Sequence, residues 1–503
     1  MKIKNNNSSI WTVFSVIVLV VTVSCTSNKE TADTFQKPNI IYILADDLGY
    51  GDLSFLGQTK FQTPNIDKLA ASGMVFTQHY AGTTVCAPSR SALMTGLHTG
   101  HTRVRGNRGV NGGQFPLKEG TQNLATLLKK DGYVTGAFGK WGLGYPGSEG
   151  APLNQGFDVF FGYNSQSIAH NYYPRELWDN DEIVSLEGNQ GTDEGQYAPH
   201  LIQEKRLSFI ETNKDQKFFM FAPSIIPHAE LFAPEEYMEK FLTKTNPEPP
   251  YQYKSNLGPE TPYEGIDDPN HPRYKVGGYG SQTYPHAAFA AMVTLLDDQV
   301  GQIVAKLEEF DLLDNTLIIF SSDNGPHLEG GADPDFFNSN GPFQGYKRDL
   351  LEGGIHVPMI VSWPAQVKGG SQTNHISTFW DILPTFSDLV GVDTQGNLDG
   401  ISFLPTLLAQ DSQPTHTHLY WEFHERGGKQ AVRMGKWKGI KRDVFSGNET
   451  IQLYDLDRNP GETEDLSAEY PEIVEEIRQL MQSSRNEDPE WPFAEKIQKN
   501  GED

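Results

Sequence analysis

The chain is poor in cysteine: two thiols in 503 residues, Cys25 and Cys86. That excludes a disulfide framework, so each cysteine needs its own explanation. Basic charge is also scarce, with 40 Lys and Arg against 65 Asp and Glu and a net charge of -25. This excludes nucleic acid as a partner, because a phosphate backbone is bound by basic surface. Any anion site must therefore be locally basic within an acidic surface. Long apolar runs are missing too, since the most apolar stretch, Ile10 to Val23, is short for a membrane-crossing helix. No internal repeat is visible, which excludes a solenoid.

What is present begins with an export pattern. Lys2 and Lys4 precede the apolar run, and Ser24-Cys25 follow it. The pattern resembles a bacterial lipoprotein signal, in which Cys25 is lipidated, becomes the mature N-terminus and anchors the protein to a membrane. Thr22 stands where a branched aliphatic residue is usual, and a plain secretory signal is the alternative. Residues 1–25 are read as this signal and 26–37 as a polar tether.

From residue 38 to about 400, apolar runs alternate with helical spacing. Asn39 to Ala45, Tyr133 to Phe138, Lys217 to Ala222 and Asn315 to Phe320 read as strands buried on both faces. Thr63-Pro64 opens a helix with a capping side chain and proline in the first position. After Gly400 short alternating strands precede a helix from Pro471 to Gln482, the pattern of a small antiparallel sheet carrying one helix. The expected fold is α/β: a large mixed sheet between helices over 38–400, with a smaller C-terminal sheet over 401–503.

Sheets of this kind place their sites beyond the C-terminal strand ends. Those ends deliver Asp46 and Asp47, Lys140, His228, and Asp323 with Asn324. Three carboxylates and an amide are hard oxygen donors, so calcium or magnesium suits them better than zinc. Cys86 precedes Pro88, read as the first position of a short helix closed by Gly96. A thiol at the positive end of a helix is easier to ionise or to process; a buried core cysteine is the alternative.

Cys86-Ala87-Pro88-Ser89-Arg90, followed by Leu93-Met94-Thr95-Gly96, resembles the maturation signature of type I, formylglycine-dependent sulfatases of the alkaline phosphatase superfamily. The aspartate pair, Gly139-Lys140-Trp141, Pro227-His228, Ser322-Asp323-Asn324-Gly325 and Lys347 ahead of Glu352-Gly353-Gly354 follow in family order. The resemblance implies that a formylglycine-generating or anaerobic sulfatase-maturating enzyme converts Cys86 to 3-oxoalanine, whose hydrate is the nucleophile. It also implies a divalent cation, calcium in most relatives and magnesium as the alternative, held by Asp46, Asp47, Cys86, Asp323 and Asn324. Arg90 would orient the diol. Lys140, His228 and Lys347 would bind sulfate, with His228 at its ordinary pKa as general acid. The pattern departs at Gly142, where many relatives carry a histidine that contacts the diol. This leaves open which group takes the nucleophile's proton; Asp323 is one candidate.

Segments around His98 to Arg103, His170 to Tyr173 and Trp421 to Glu425 resemble those of bacterial carbohydrate sulfatases akin to N-acetylgalactosamine-sulfate sulfatases. They imply a galactose-type sugar of a sulfated polysaccharide or glycosaminoglycan, with His170, His101, Arg103 and His424 as candidate contacts. His170 as a structural histidine and the basic segment as a solvated loop remain open. So do a phosphonate or phosphate ester hydrolase of the same superfamily and an inactive lipoprotein that binds sulfated glycan. The expected location is the periplasm or outer surface of a bacterium.

Overall fold

The computed structural model describes residues 1, 35–189, 195–274 and 278–493. The export signal, Cys25 and most of the tether lie outside the described residues. Among the described residues no helix is long and apolar enough to cross a membrane.

A ten-stranded sheet carries the fold. In chain order its strands are β1 (Asn39–Ala45), β2 (Met74–Phe76), β3 (Val134–Lys140), β4 (Val159–Tyr163), β5 (Glu176–Asp179), β6 (Glu182–Ser185), β7 (Phe218–Pro223), β8 (Thr316–Ser322), β9 (Met359–Ser362) and β10 (Ser371–Thr373). Their spatial order is β10-β2-β9-β8-β1-β7-β3-β4-β5-β6. The central strands β8, β1, β7, β3 and β4 run parallel, whereas β9, β5 and β6 pair antiparallel with their neighbours. The continuous apolar runs sit where both faces are covered: Ile40 to Ala45 and Phe218 to Ala222 are buried throughout.

Register aligns the working ends. Leu44 pairs with Pro223 and with Ser321, and Ala45 pairs with Ser322. The ladder continues past the strands, with Asp323 N–H donating to Ala45 O and Asp46 N–H to Ile226 O. The polar residues after β1, β7 and β8 therefore emerge side by side.

Helices α1 (Pro64–Ser72), α2 (Cys86–Thr95), α3 (Ala198–Thr212), α4 (Pro285–Glu309) and α5 (Ile382–Val390) flank the sheet. Thr63 does not cap α1 as expected. Its hydroxyl bonds Asp67, and the first N–H groups of the helix donate instead to the Asp297 carboxylate on α4. The C-terminal part forms the expected small layer: β11 (Leu419–Phe423), β12 (Lys429–Met434), β13 (Trp437–Arg442) and β14 (Ile451–Asp455) make a four-stranded antiparallel sheet. Helix α6 (Pro471–Ser483) lays Ile477 and Met481 against Val432, Ile451 and Leu453. The other face of this sheet, through Trp421, Ala431 and Ile440, packs on Tyr80, Val85, Ala92 and Trp380. One side of α2 is thus held by the small sheet.

Candidate active site

Helix α2 is buried along its whole length and ends at Gly96, whose φ of 70° is the left-handed conformation a glycine cap supplies. The helix starts at Cys86, so Pro88 is its third residue rather than its first. A proline is tolerated there because the whole first turn lacks intrahelical N–H partners. Cys86 and Arg90, four apart, share a face of the helix.

That face meets the strand ends. Cys86 Sγ lies 3.3 Å from Asp46 Oδ1 and 3.5 Å from Lys140 Nζ. Lys140 Nζ donates to Asp46 Oδ2 at 2.7 Å. Arg90 places Nε and Nη2 on Asp323 Oδ2, at 3.1 and 2.9 Å, and Nη1 on Lys140 O. Asp47 sits at φ 66°, an uncommon conformation for a side-chain-bearing residue and one that gathers at functional sites. Its N–H donates to Asp323 Oδ1, and its carboxylate accepts from Asn324 Nδ2 and Lys347 Nζ, both at 2.7 Å.

His228 Nδ1–H donates to Ala229 O, which leaves Nε2 as the acceptor for Lys347 Nζ at 2.9 Å. The structure thus brings together every residue expected at the catalytic and metal centre. His170 stacks on His228 with ring centroids 4.5 Å apart, and Tyr279 leans against both rings. The buried Nδ1 of His170 has no hydrogen-bond partner.

His101, Arg103 and His424 have contacts of another kind. His101 Nδ1 bonds Asp399 at 2.9 Å, the Arg103 guanidinium lies over the Phe115 ring, and His424 Nε2 bonds Glu422 at 2.8 Å. None of these contacts touches the Cys86 cluster.

Two ionisation expectations are overturned. Burial pushes the Cys86 thiol well above its usual pKa, and Asp323 and Asp46 push it further; the start of a helix does not offset them. Burial likewise drives His228 well below its usual value, reinforced by Lys347. His228 is therefore a neutral acceptor here rather than an acid of ordinary pKa. For Asp46, burial is outweighed by the charges of Lys140 and Arg90, which hold the carboxyl well below the usual range. Asp323 is pushed up to about 7, first by burial and then by Asp46. Both its oxygens are engaged, by Arg90 and by the Asp47 N–H.

The donor set fits a divalent cation. Asp46, Asp47, Cys86 and His228 offer atoms that all lie within 4.8 Å of one another. Asn324 Oδ1 is buried without a hydrogen-bond partner among the described residues, an orphaned hard donor beside those carboxylates. Sequence reasoning missed Glu329, which bonds Lys347 Nζ at 3.3 Å and pairs with Arg348. It also missed Tyr279. Both sit on irregular segments with no periodic signal around them.

A nucleophile-bearing helix start, a hard-cation donor set and converging lysines define a metal-assisted hydrolase of anionic esters on an alkaline phosphatase-like fold. The particular family follows from the pattern of the whole chain: residues 38–392 match the Sulfatase family, and the protein belongs to it. It is a sulfuric ester hydrolase, and the family generally works with formylglycine and a divalent metal. Residues 342–487 match the N-sulphoglucosamine sulphohydrolase C-terminal family. The chain is similar to an N-acetylgalactosamine-6-O-sulfatase of Bacteroides thetaiotaomicron, 29% identical with 90% of this chain and 94% of the relative covered. Human arylsulfatase A is 28% identical, with 93% and 92% covered. Among solved structures, Ps i-CgsB superposes with a TM-score of 0.73 at 29% identity, covering 91% of this chain and 95% of that one. Ps i-CgsB has also been crystallised with k-i-k-neocarrahexaose.

Proposed function

We propose that this sulfatase removes sulfate from a galactose-type sugar of a sulfated polysaccharide or glycosaminoglycan, using a nucleophile made from Cys86. The observation that carries the reading is the position of Cys86 Sγ, within 3.5 Å of both Asp46 and Lys140 at the start of a buried helix. An unmodified thiol there is held protonated, a poor setting for use as a thiolate. The aldehyde hydrate supplies one hydroxyl to attack sulfur and a second that can release sulfate, an exit an ordinary serine lacks.

Asp46, Asp47, Asp323, Asn324 and residue 86 would hold the cation, and the carboxylates and amide among them are hard oxygen donors that suit calcium, with magnesium as the alternative. When bound, it withdraws charge from sulfuryl oxygens and lowers the pKa of an adjacent hydroxyl. Arg90 fixes Asp323 and the Lys140 carbonyl, and so fixes the donor set. Lys140 and Lys347 neutralise the sulfate oxygens. Lys347 holds its proton at Nζ against the His228 lone pair, placing a donor where the leaving oxygen departs. His170, stacked on His228, is the candidate sugar contact.

Cys25 as a lipid anchor, export to the bacterial periplasm or outer surface, and a maturating enzyme acting on the segment 86–90 complete the reading, with 38–400 as catalytic domain and 401–503 as C-terminal subdomain. The test is mass spectrometry of the tryptic peptide containing Cys86 from the native host, together with sulfate release from 6-sulfated N-acetylgalactosamine and from a phosphate ester. An aldehyde and preferential sulfate release are expected. An unmodified thiol in active protein would remove the mechanism, and faster phosphate release would reassign the substrate.

A further inference from the structure

The strand end that presents Lys140 runs on into Gly142, and the space above that glycine is taken. A Cβ on Gly142 would lie 3.1 Å from Gln166 Oε1 and 3.9 Å from Arg90 Cδ, and its φ of 80° disfavours any side chain there. Gln166 comes from the loop after β4 and is 4% exposed. Its Oε1 is buried with no hydrogen-bond partner among the described residues. A buried amide oxygen left without a donor is costly in a folded chain, unless a group bound there satisfies it.

The amide cannot relieve this by turning over. Ala87 N–H donates to Asn107 Oδ1 at 3.1 Å, which fixes that atom as the acceptor. Gln166 must then present Nε2 to the same oxygen, as it does at 3.1 Å, and Oε1 faces away from Asn107. Gln166 is therefore tied to the nucleophile's flank through Asn107, which bonds the residue directly after Cys86. The space over Gly142 that Oε1 borders is bordered also by Cδ of Arg90, which shares the Cys86 face of α2.

We propose that Gln166 is a catalytic residue whose Oε1 accepts a hydrogen bond from a hydroxyl of the aldehyde hydrate at position 86, in the place left open by Gly142. An amide takes no proton. Its part is to point the hydroxyl hydrogen toward Oε1, and so to aim an oxygen lone pair away from Gln166 and hold the hydrate against dehydration. The inference rests on the formylglycine reading above, and it is built to fail separately from it.

The experiment compares wild-type protein with Gln166→Met and Gln166→Glu, each first shown by mass spectrometry to carry the converted residue 86. Gln166→Met keeps bulk but loses the acceptor; Gln166→Glu keeps an acceptor. We expect Gln166→Met to lower kcat on 4-nitrophenyl sulfate by roughly tenfold, the value of one hydrogen bond, with KM within about twofold. Its native-state aldehyde should react faster with a hydrazide probe, a readout independent of turnover. Gln166→Glu should keep the slow probe reaction of the wild type. Wild-type kcat and probe reactivity in Gln166→Met would overturn the proposal. So would a loss confined to KM on sulfated sugar, which would make Gln166 a sugar contact, or equal probe reactivity in the Met and Glu variants. A wild-type protein that forms no aldehyde would instead overturn the formylglycine reading.

Discussion

Lys347 Nζ lies 2.7 Å from Asp47 Oδ2 and 2.9 Å from His228 Nε2, so one ammonium group joins a metal-ligand candidate to a neutral imidazole. Glu329 adds a third contact at 3.3 Å. Burial alone would favour the neutral amine. Asp47 and Glu329 outweigh it and hold Lys347 well above its usual pKa. Lys347 is thus held as an ammonium, with the neutral imidazole fixing where one of its protons points; in the proposed reaction that ammonium is the donor to the leaving oxygen.

This relationship predicts a dependence on the leaving group. Lys347→Met removes the proton donor, and general acid catalysis is worth about 10²–10⁴-fold. The loss should be largest for sugar sulfates, whose alkoxide needs a proton, and smallest for 4-nitrophenyl sulfate, whose phenolate leaves unaided. Steady-state kcat on both substrates checks it. Equal losses would mean that Lys347 only binds sulfate.

Arg90 predicts a stability effect. It is fully buried and bonds Asp323 twice and the Lys140 carbonyl once. Arg90→Met leaves a buried carboxylate without its partner, at a cost of about 3–5 kcal/mol. Arg90→Lys should recover little, because a single ammonium cannot reproduce the guanidinium's several fixed donors. Chemical denaturation reads the stability. Metal content measured on the same samples should fall in parallel, since Asp323 would no longer be held in place.

Much of this centre is legible in the sequence for a simple reason. Buried parallel strands are unbroken apolar runs, and polar residues directly after such runs emerge at a common edge. Asp46, Asp323 and Lys140 follow that rule. Gln166, Tyr279 and Glu329 do not, because loop residues reach the site by long-range packing that no local period encodes. The ionisation of Cys86 and His228 was misread for a related reason. Helix position and ordinary pKa values are local properties, while burial and neighbouring carboxylates or ammonium groups are tertiary ones. His101 and His424 show the same limit, since their hydrogen bonds to Asp399 and Glu422 are tertiary contacts that no local pattern encodes.

His170 predicts a separation of substrates. Its ring lies parallel to His228 and its buried Nδ1 has no hydrogen-bond partner among the described residues. His170→Ala should raise KM or lower kcat/KM for a sulfated galactose-type sugar by about tenfold or more, the value of a hydrogen bond with its packing. The effect on 4-nitrophenyl sulfate, which has no sugar hydroxyl to bind, should be small. Equal loss on both would return His170 to a structural role.

A pH effect on stability is expected far from the catalytic chemistry, at His98. Its ring is buried beside His101, Tyr420 and Trp380, and its Nδ1 accepts from Gly100 N–H at 3.1 Å. Burial lowers its pKa to about 4; Asp399 and Glu422 pull it upward, while His101 and His418 push it down. The folded chain thus resists a proton that the unfolded chain accepts from pH 6.5 downward. Between those two values the unfolded state binds more protons, so stability falls as pH falls through that window. The loss is on the order of 3 kcal/mol once both forms are protonated. The physical cause is direct: a proton on Nδ1 would remove the acceptor of the Gly100 N–H and place charge in an aromatic pocket. Urea unfolding between pH 7 and pH 4 checks it. His98→Asn keeps a hydrogen-bonding side chain but does not titrate, so it should flatten the acid side of the stability profile; an unchanged slope would show that other groups carry the acid sensitivity.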